Sequence, residues 1–233
     1  ADEANVSRAG AHRLPWHPLV PDVPMLRWLI LSLLLTPLFD ARAAGDEAAV
    51  RATFAAYKAA VLAQQGERAA DNVTTGTLRE YARYRELALS APRAALEALP
   101  MTERLQVLII RARVPANDLR AMDGRRVFTH AVDRGWIGRE GVERSELGTV
   151  QVEGDRAAAR LKIGATELPV DFEFEREPGG WRFNLIPLTT MSEDVFKQLA
   201  RQNGVSENEM VMTLLRGLSE APVDERLWDP PTP

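Results

Sequence analysis

Leu168-Pro169-Val170-Asp171-Phe172-Glu173-Phe174-Glu175 alternates apolar and acidic side chains, and Trp181-Arg182-Phe183-Asn184-Leu185-Ile186 resumes the alternation after Arg176-Glu177-Pro178-Gly179-Gly180. A period of two sends Val170, Phe172 and Phe174 to one face and Asp171, Glu173 and Glu175 to the other, which is a strand with one buried side. Two more such runs lie upstream, Thr149–Glu153 and Ala157–Ile163. Glu153-Gly154-Asp155-Arg156 and Gly164-Ala165-Thr166-Glu167 separate them, and their Gly and Asp supply turn conformations that bulkier residues avoid. Residues 145–188 therefore read as an antiparallel sheet of about four strands. A sheet with one apolar face needs a partner layer, and the flanking segments are helical in pattern. The predicted class is α+β: a helix-rich N-terminal half packed on a curved antiparallel sheet, followed by C-terminal helices.

The helical half begins with Val50, Phe54, Tyr57 and Val61, an apolar stripe spaced four, three and four, opened by Asp46 and stopped at Gly66. Thr77-Leu78-Arg79-Glu80 has the form of a capping box and opens a second helix. A short helix lies between Pro92 and Pro100. Thr102 is the expected cap of the next, whose Leu105, Val107, Leu108, Ile109 and Ile110 are apolar nearly all round, as in a helix buried between layers. Pro115 stops it, one further turn follows, and Arg125–Arg134 forms a last helix ended by Gly135.

After the sheet, Ser192 opens a helix with Val195, Phe196, Leu199 and Ala200 as its apolar side. Ser206-Glu207-Asn208-Glu209 is a second capping box. The stripe that follows, Met210, Val211, Leu214, Leu215 and Leu218, either packs on the domain's own core or docks a protein partner.

The 233 residues are 45% hydrophobic and carry a net charge of −4, a globular composition without the electrostatic footprint of a nucleic-acid binder. Cysteine is absent, which removes disulfides, thiol nucleophiles and zinc–thiolate sites. Residues 1–24 are proline-punctuated and aperiodic, and read as a disordered or non-native extension. Met25-Leu26-Arg27, the short apolar run Trp28–Phe39 and the Ala41-Arg42-Ala43 site have the form of a secretory signal peptide over residues 25–43. The run is too short to span a bilayer, so a mature chain from Ala44 is expected in the periplasm or outside the cell, without a transmembrane span. The expected organisation is a cone-like domain over 44–190, a helical appendage over 191–221 and a loose tail over 222–233.

Little in the chain carries chemistry. No metal-ligand spacing, phosphate loop, dinucleotide fingerprint or nucleophile elbow is present, so no cofactor or metal is expected. Asp133 lies one helical turn after His130 and can meet it, and Asp171 and Glu173 share a strand face; acid–base catalysis by these groups stands beside structural roles for them. Asn72-Val73-Thr74 matches the glycosylation sequon and reads as accidental. The aromatic side chains Phe54, Tyr57, Tyr81, Tyr84, Phe128, Trp136, Phe172, Trp181 and Phe183, with His130, either line an apolar ligand cavity or fill it.

Helices first, then a meander closed by Gly180-Trp181-Arg182-Phe183-Asn184-Leu185-Ile186, resembles the cystatin-like cone of the nuclear-transport-factor-two-like superfamily, in particular its proteobacterial periplasmic members. The resemblance covers about Gly45 to Leu188. It implies a long helix lying against a conical sheet whose hollow holds a ligand or a catalytic acid. No catalytic motif of the enzymatic members has a counterpart here. The order of elements is also similar to that of periplasmic phospholipid-carrier proteins, which would imply a bound lipid; the strand after Trp181 lacks their run of aspartate, valine and glycine. Three functions follow as expectations: a non-catalytic binding or accessory module, a carrier of lipid or another small apolar ligand, and a cone enzyme.

Overall fold

The computed structural model describes residues 36–136, 139–218 and 223–231. The chain divides into two compact units, Ala1–Ala41 and Arg42–Pro233; of the first only 36–41 are described, and they are helical. The extension over 1–24 and most of the apolar run assigned to a signal peptide lie outside the described residues.

The predicted sheet is a four-stranded antiparallel meander: β1 (Ser145–Glu153), β2 (Arg156–Ile163), β3 (Thr166–Glu177) and β4 (Gly180–Asn184), in that spatial order. Gly154, Gly164, Gly179 and Gly180 hold the three turns at positive φ. The register places Ala159 opposite Phe172, Ala157 opposite Phe174 and Phe174 opposite Phe183, so the aromatic side chains of β3 and β4 gather on one face. Asp171 and Glu173 are exposed on the other. Irregularities of register at 147–150 and 160–162 bend the sheet. Its β4 edge does not stay open: Phe183 donates its backbone N–H to Asn72 and accepts from Thr74, making a short parallel bridge.

The part of helix α1 (Thr36–Leu62) that follows Arg42 lies on the apolar face. Val50, Phe54, Tyr57 and Val61, the predicted stripe, are all buried. Phe183 is the hub of this core, with the rings of Phe54, Tyr57, Phe172 and Phe174 centred 5.0–5.6 Å from its own. Polar side chains on α1 fasten its flanks: Arg51 donates to the carbonyls of Leu147 and Gly148, and Lys58 to those of Glu143 and Ser145. Asp46 does not open this helix as expected. It lies within α1 and forms an ion pair of 2.6 Å with Arg176, whose guanidinium covers the Trp181 ring.

A second, helical core stands beside the first. It contains α3 (Thr75–Ser90), α5 (Met101–Arg113), part of α7 (Gly124–Asp133), α9 (Ile186–Asn203) and α10 (Glu207–Leu218). Short helices α2 (Gly66–Ala70), α4 (Arg93–Glu97), α6 (Ala116–Arg120) and α8 (Arg139–Arg144) connect the others. Helix α5 is buried between neighbours, as its all-round apolar pattern predicts.

Several local expectations shift. Gly66 begins α2 rather than ending α1, where Gln64 takes the left-handed conformation at φ 52°. Thr74, not Thr77, caps α3. Thr102 lies inside α5, whose first backbone N–H groups are capped by Glu193 of α9: Met101 N and Thr102 N donate to its carboxylate at 3.0 and 2.8 Å. Helix α9 starts at Ile186, before the expected Ser192. The capping box of Ser206 and Glu209 is present as read, each residue donating its backbone N–H to the other's side chain.

The C-terminal helices are not an appendage, and of the tail expected to be loose, residues 223–228 pack against the helical core. Met210, Val211 and Leu215 are buried in the helical core, and Trp228, in a 3-10 turn (Glu225–Trp228), is fully buried there. Arg111 donates to the carbonyls of Leu87, Ala88 and Ala91 at the end of α3 and to those of Leu227 and Trp228, tying the C-terminal segment down.

Candidate functional site

The two cores do not close on each other completely. Where they meet, a cavity of about 670 Å³ remains. Phe54 and Tyr57 of α1 wall it on the sheet side, with Leu161, Phe172 and Phe183. Tyr81, Leu105, Gln106, Ile110 and Val127 wall it on the helical side, and Leu188, Ser192 and Phe196 bring in α9. Ile163 and Leu218, 40% and 50% exposed, give it an apolar rim.

Six of the ten side chains proposed from sequence line this space: Phe54, Tyr57, Tyr81, Trp136, Phe172 and Phe183. The other four do not. Tyr84 is buried in the helical core with the Arg83 guanidinium 5.1 Å from its ring centre. Phe128 is fully buried beneath Tyr81, their rings 5.1 Å apart. Trp181 is enclosed under Arg176 at the far end of β4. His130 packs edge-on against Trp136 at 5.2 Å, outside the lining.

The lining contains no Asp, Glu, Lys, Arg or His among the described residues. Its polar groups fall into two sets. Thr102, Ser145, Thr189 and Ser192 donate their hydroxyls to Glu193, Gly141, Ile186 and Leu188 respectively and are spoken for. Tyr57, Tyr81 and Gln106 have no side-chain hydrogen-bond partner among the described residues. Tyr57 is only 3% exposed. Burial raises both phenols well above their usual range, Tyr81 to about 12 and Tyr57 further, with repulsion from Tyr81 adding to burial at Tyr57. Both stay protonated at any physiological pH and present O–H donors.

The acid–base candidates lie elsewhere. Asp171 and Glu173 are on the outer face of the sheet, Asp171 paired with Arg160 at 3.3 Å. Asp133 accepts the Gly66 N–H at 2.6 Å, at the start of α2, and no hydrogen bond joins it to His130 among the described residues. Burial, then Arg134, lowers the His130 pKa against the pull of Asp133 and Asp118. No group of three or more His, Asp or Glu among the described residues is placed to hold a metal ion. No described helix is long and apolar enough to cross a membrane.

The stripe proposed for partner docking is largely occupied by the protein itself. Met210, Val211 and Leu215 are buried, Leu214 packs against the same core, and Leu218 alone of the five is exposed, at the cavity rim. The exposed apolar residues are instead on α9, where Met191, Val195 and Leu199 face outward.

The sequence reading passed over Gln106, Leu161, Leu188 and Phe196. Gln106 carried a usable signal: it is the one polar residue within the apolar run Leu105–Ile110. Leu188 and Phe196 gave none, because their role depends on α9 crossing α5, a contact between distant parts of the chain. No protein-family model, curated protein or solved structure matches this chain.

Proposed function

We propose that this protein is a binding module for a small apolar molecule, a lipid or a molecule of similar character, held between the sheet and the helical core. One observation carries the proposal: a cavity of about 670 Å³ with apolar and aromatic walls and few polar groups. That size lies within the range of about 300–1,000 Å³ typical of small-molecule sites. Its walls come from two separately packed cores, so it is not a flaw within one of them. The expected acid–base groups lie off this space, so the proposal is binding without catalysis. It includes export, supported by the signal-like pattern over residues 25–43, and agrees with the hollow expected of a cone-like sheet.

The test is titration of the full-length protein with the uncharged dye N-phenyl-1-naphthylamine. Saturable fluorescence enhancement with one dye per chain is expected. Leu161→Trp, which fills the cavity from β2, should weaken that binding by about tenfold or more while the far-ultraviolet circular dichroism stays unchanged. Absence of saturable binding, or dye binding that the filled variant retains, would remove the proposal. Mass spectrometry of the exported protein, with cleavage expected near Ala43-Ala44, tests the localisation separately.

A further inference from the structure

The cavity wall holds more hydrogen-bonding capacity than the protein uses. Tyr57 and Tyr81 bring two phenolic O–H donors, and Gln106 an amide, into walls that are otherwise apolar or already satisfied. Tyr57 is buried and Tyr81 and Gln106 are half-buried, and all three line the cavity, so their polar groups are open to a molecule held in it. Phenylalanine at either tyrosine would keep the ring contacts with Phe183, Tyr84 and Phe128 and remove the unmet donor. These hydroxyls are therefore free to donate to a molecule held in the cavity.

The chemistry of that acceptor is limited by what the wall lacks. No cation lines the cavity among the described residues, so an anionic headgroup would be enclosed without a counter-charge, which is strongly unfavourable. Two O–H donors on the wall of one cavity, both protonated, suit the lone pairs of an uncharged carbonyl oxygen. The rest of the wall suits hydrocarbon. The tyrosines pack against buried Phe183 and Phe128, whereas the rim is made of the exposed apolar residues Ile163 and Leu218.

Resting on the binding function above, we infer that the ligand is a single aliphatic chain ending in an uncharged carbonyl, such as an acyl ester, whose carbonyl oxygen accepts from Tyr57 and Tyr81. Gln106 can add its amide N–H to the same oxygen or to the neighbouring ester oxygen.

Displacement of N-phenyl-1-naphthylamine by methyl decanoate, decanoate and decane tests this, at about pH 9, where a carboxylic acid is fully ionised. The comparison is between the full-length protein and its Tyr57→Phe/Tyr81→Phe double variant. The wild type should bind methyl decanoate about tenfold or more tighter than decanoate. The double variant should lose about tenfold for methyl decanoate, the worth of two neutral hydrogen bonds, and change by less than about twofold for decane and the dye. Equal binding of methyl decanoate by both proteins, with the dye still bound, overturns the carbonyl assignment and leaves the cavity function standing. Decanoate binding as tightly as its ester overturns the exclusion of charge. If neither dye nor any of the three displacers binds, the binding function falls and this inference with it.

Discussion

Glu193 caps a helix whose capped residue, Thr102, lies 91 positions earlier in the chain. Glu193 is 8% exposed; its carboxylate accepts from Met101 N, Thr102 N and the Thr102 hydroxyl and pairs with Lys197 at 2.9 Å. Burial opposes ionisation, but the backbone donors of Thr102 and Met101, with Lys197, outweigh it and hold the pKa down at about 2. A carboxylate whose pKa is depressed on folding contributes stability that is fully present above its ordinary pKa, about 4.5, and is lost as pH falls through about 2. Glu193→Ala should therefore cost about 1–3 kcal/mol at neutral pH, since it orphans two helix N–H groups. The gap between urea midpoints of the two proteins should narrow by about pH 3; a gap of constant size would show that the ionised carboxylate is not its source. No local rule finds such a cap. The box formed by Ser206 and Glu209 was legible because both halves lie within four residues. At α3 three threonines qualify, and Thr74 wins because Phe183 holds its backbone extended at the sheet edge, so the helix can begin only after it.

Whole elements were more legible than their ends. The alternation in β3 and β4 and the α1 stripe each record a burial pattern within one segment, and the sheet and α1 follow them closely. What the sequence does not encode locally is how near two helices approach. At the crossing of α7 on α3, a Cβ added to Gly124 would lie 2.3 Å from the Leu78 carbonyl oxygen and 2.7 Å from the Ala82 nitrogen. Both are backbone atoms and cannot rotate aside. Helix propensity alone favours alanine over glycine by about 1 kcal/mol within a helix. The close approach outweighs that preference, so Gly124→Ala should destabilise the protein by about 1–3 kcal/mol, the usual cost of overpacking. Chemical denaturation of the variant settles the sign. A more stable variant would mean that α7 can slide on α3. The same dependence on contact explains the C-terminal segment: its proline-rich composition reads as loose, yet Trp228 is anchored because Arg111 and the helical core receive it.

At the scale of the molecule, two cores meet along a seam that neither fills. The sequence shows the aromatic stock for a cavity but not its allocation: Tyr84 differs from Tyr57 in which core claims it, and Phe128 shares a core with Phe54 yet lies beneath Tyr81 rather than on the wall. Gln106 sits on that seam, half-buried in the middle of α5, and its amide has no protein partner among the described residues. Leucine at this position has a similar volume, removes a half-buried polar group and adds to the apolar wall. Gln106→Leu should accordingly stabilise the ligand-free protein by about 1 kcal/mol, as substitutions at functional positions often do. The same change removes an N–H donor from the cavity, so the variant should bind methyl decanoate several-fold more weakly while holding the uncharged dye as before. Urea midpoints without ligand and dye displacement with the ester measure the two effects on one pair of proteins. Opposite signs would show that the seam is kept polar for a ligand; a variant that is less stable would mean that Gln106 serves the fold and that the cavity's polar end lies with the two tyrosines alone.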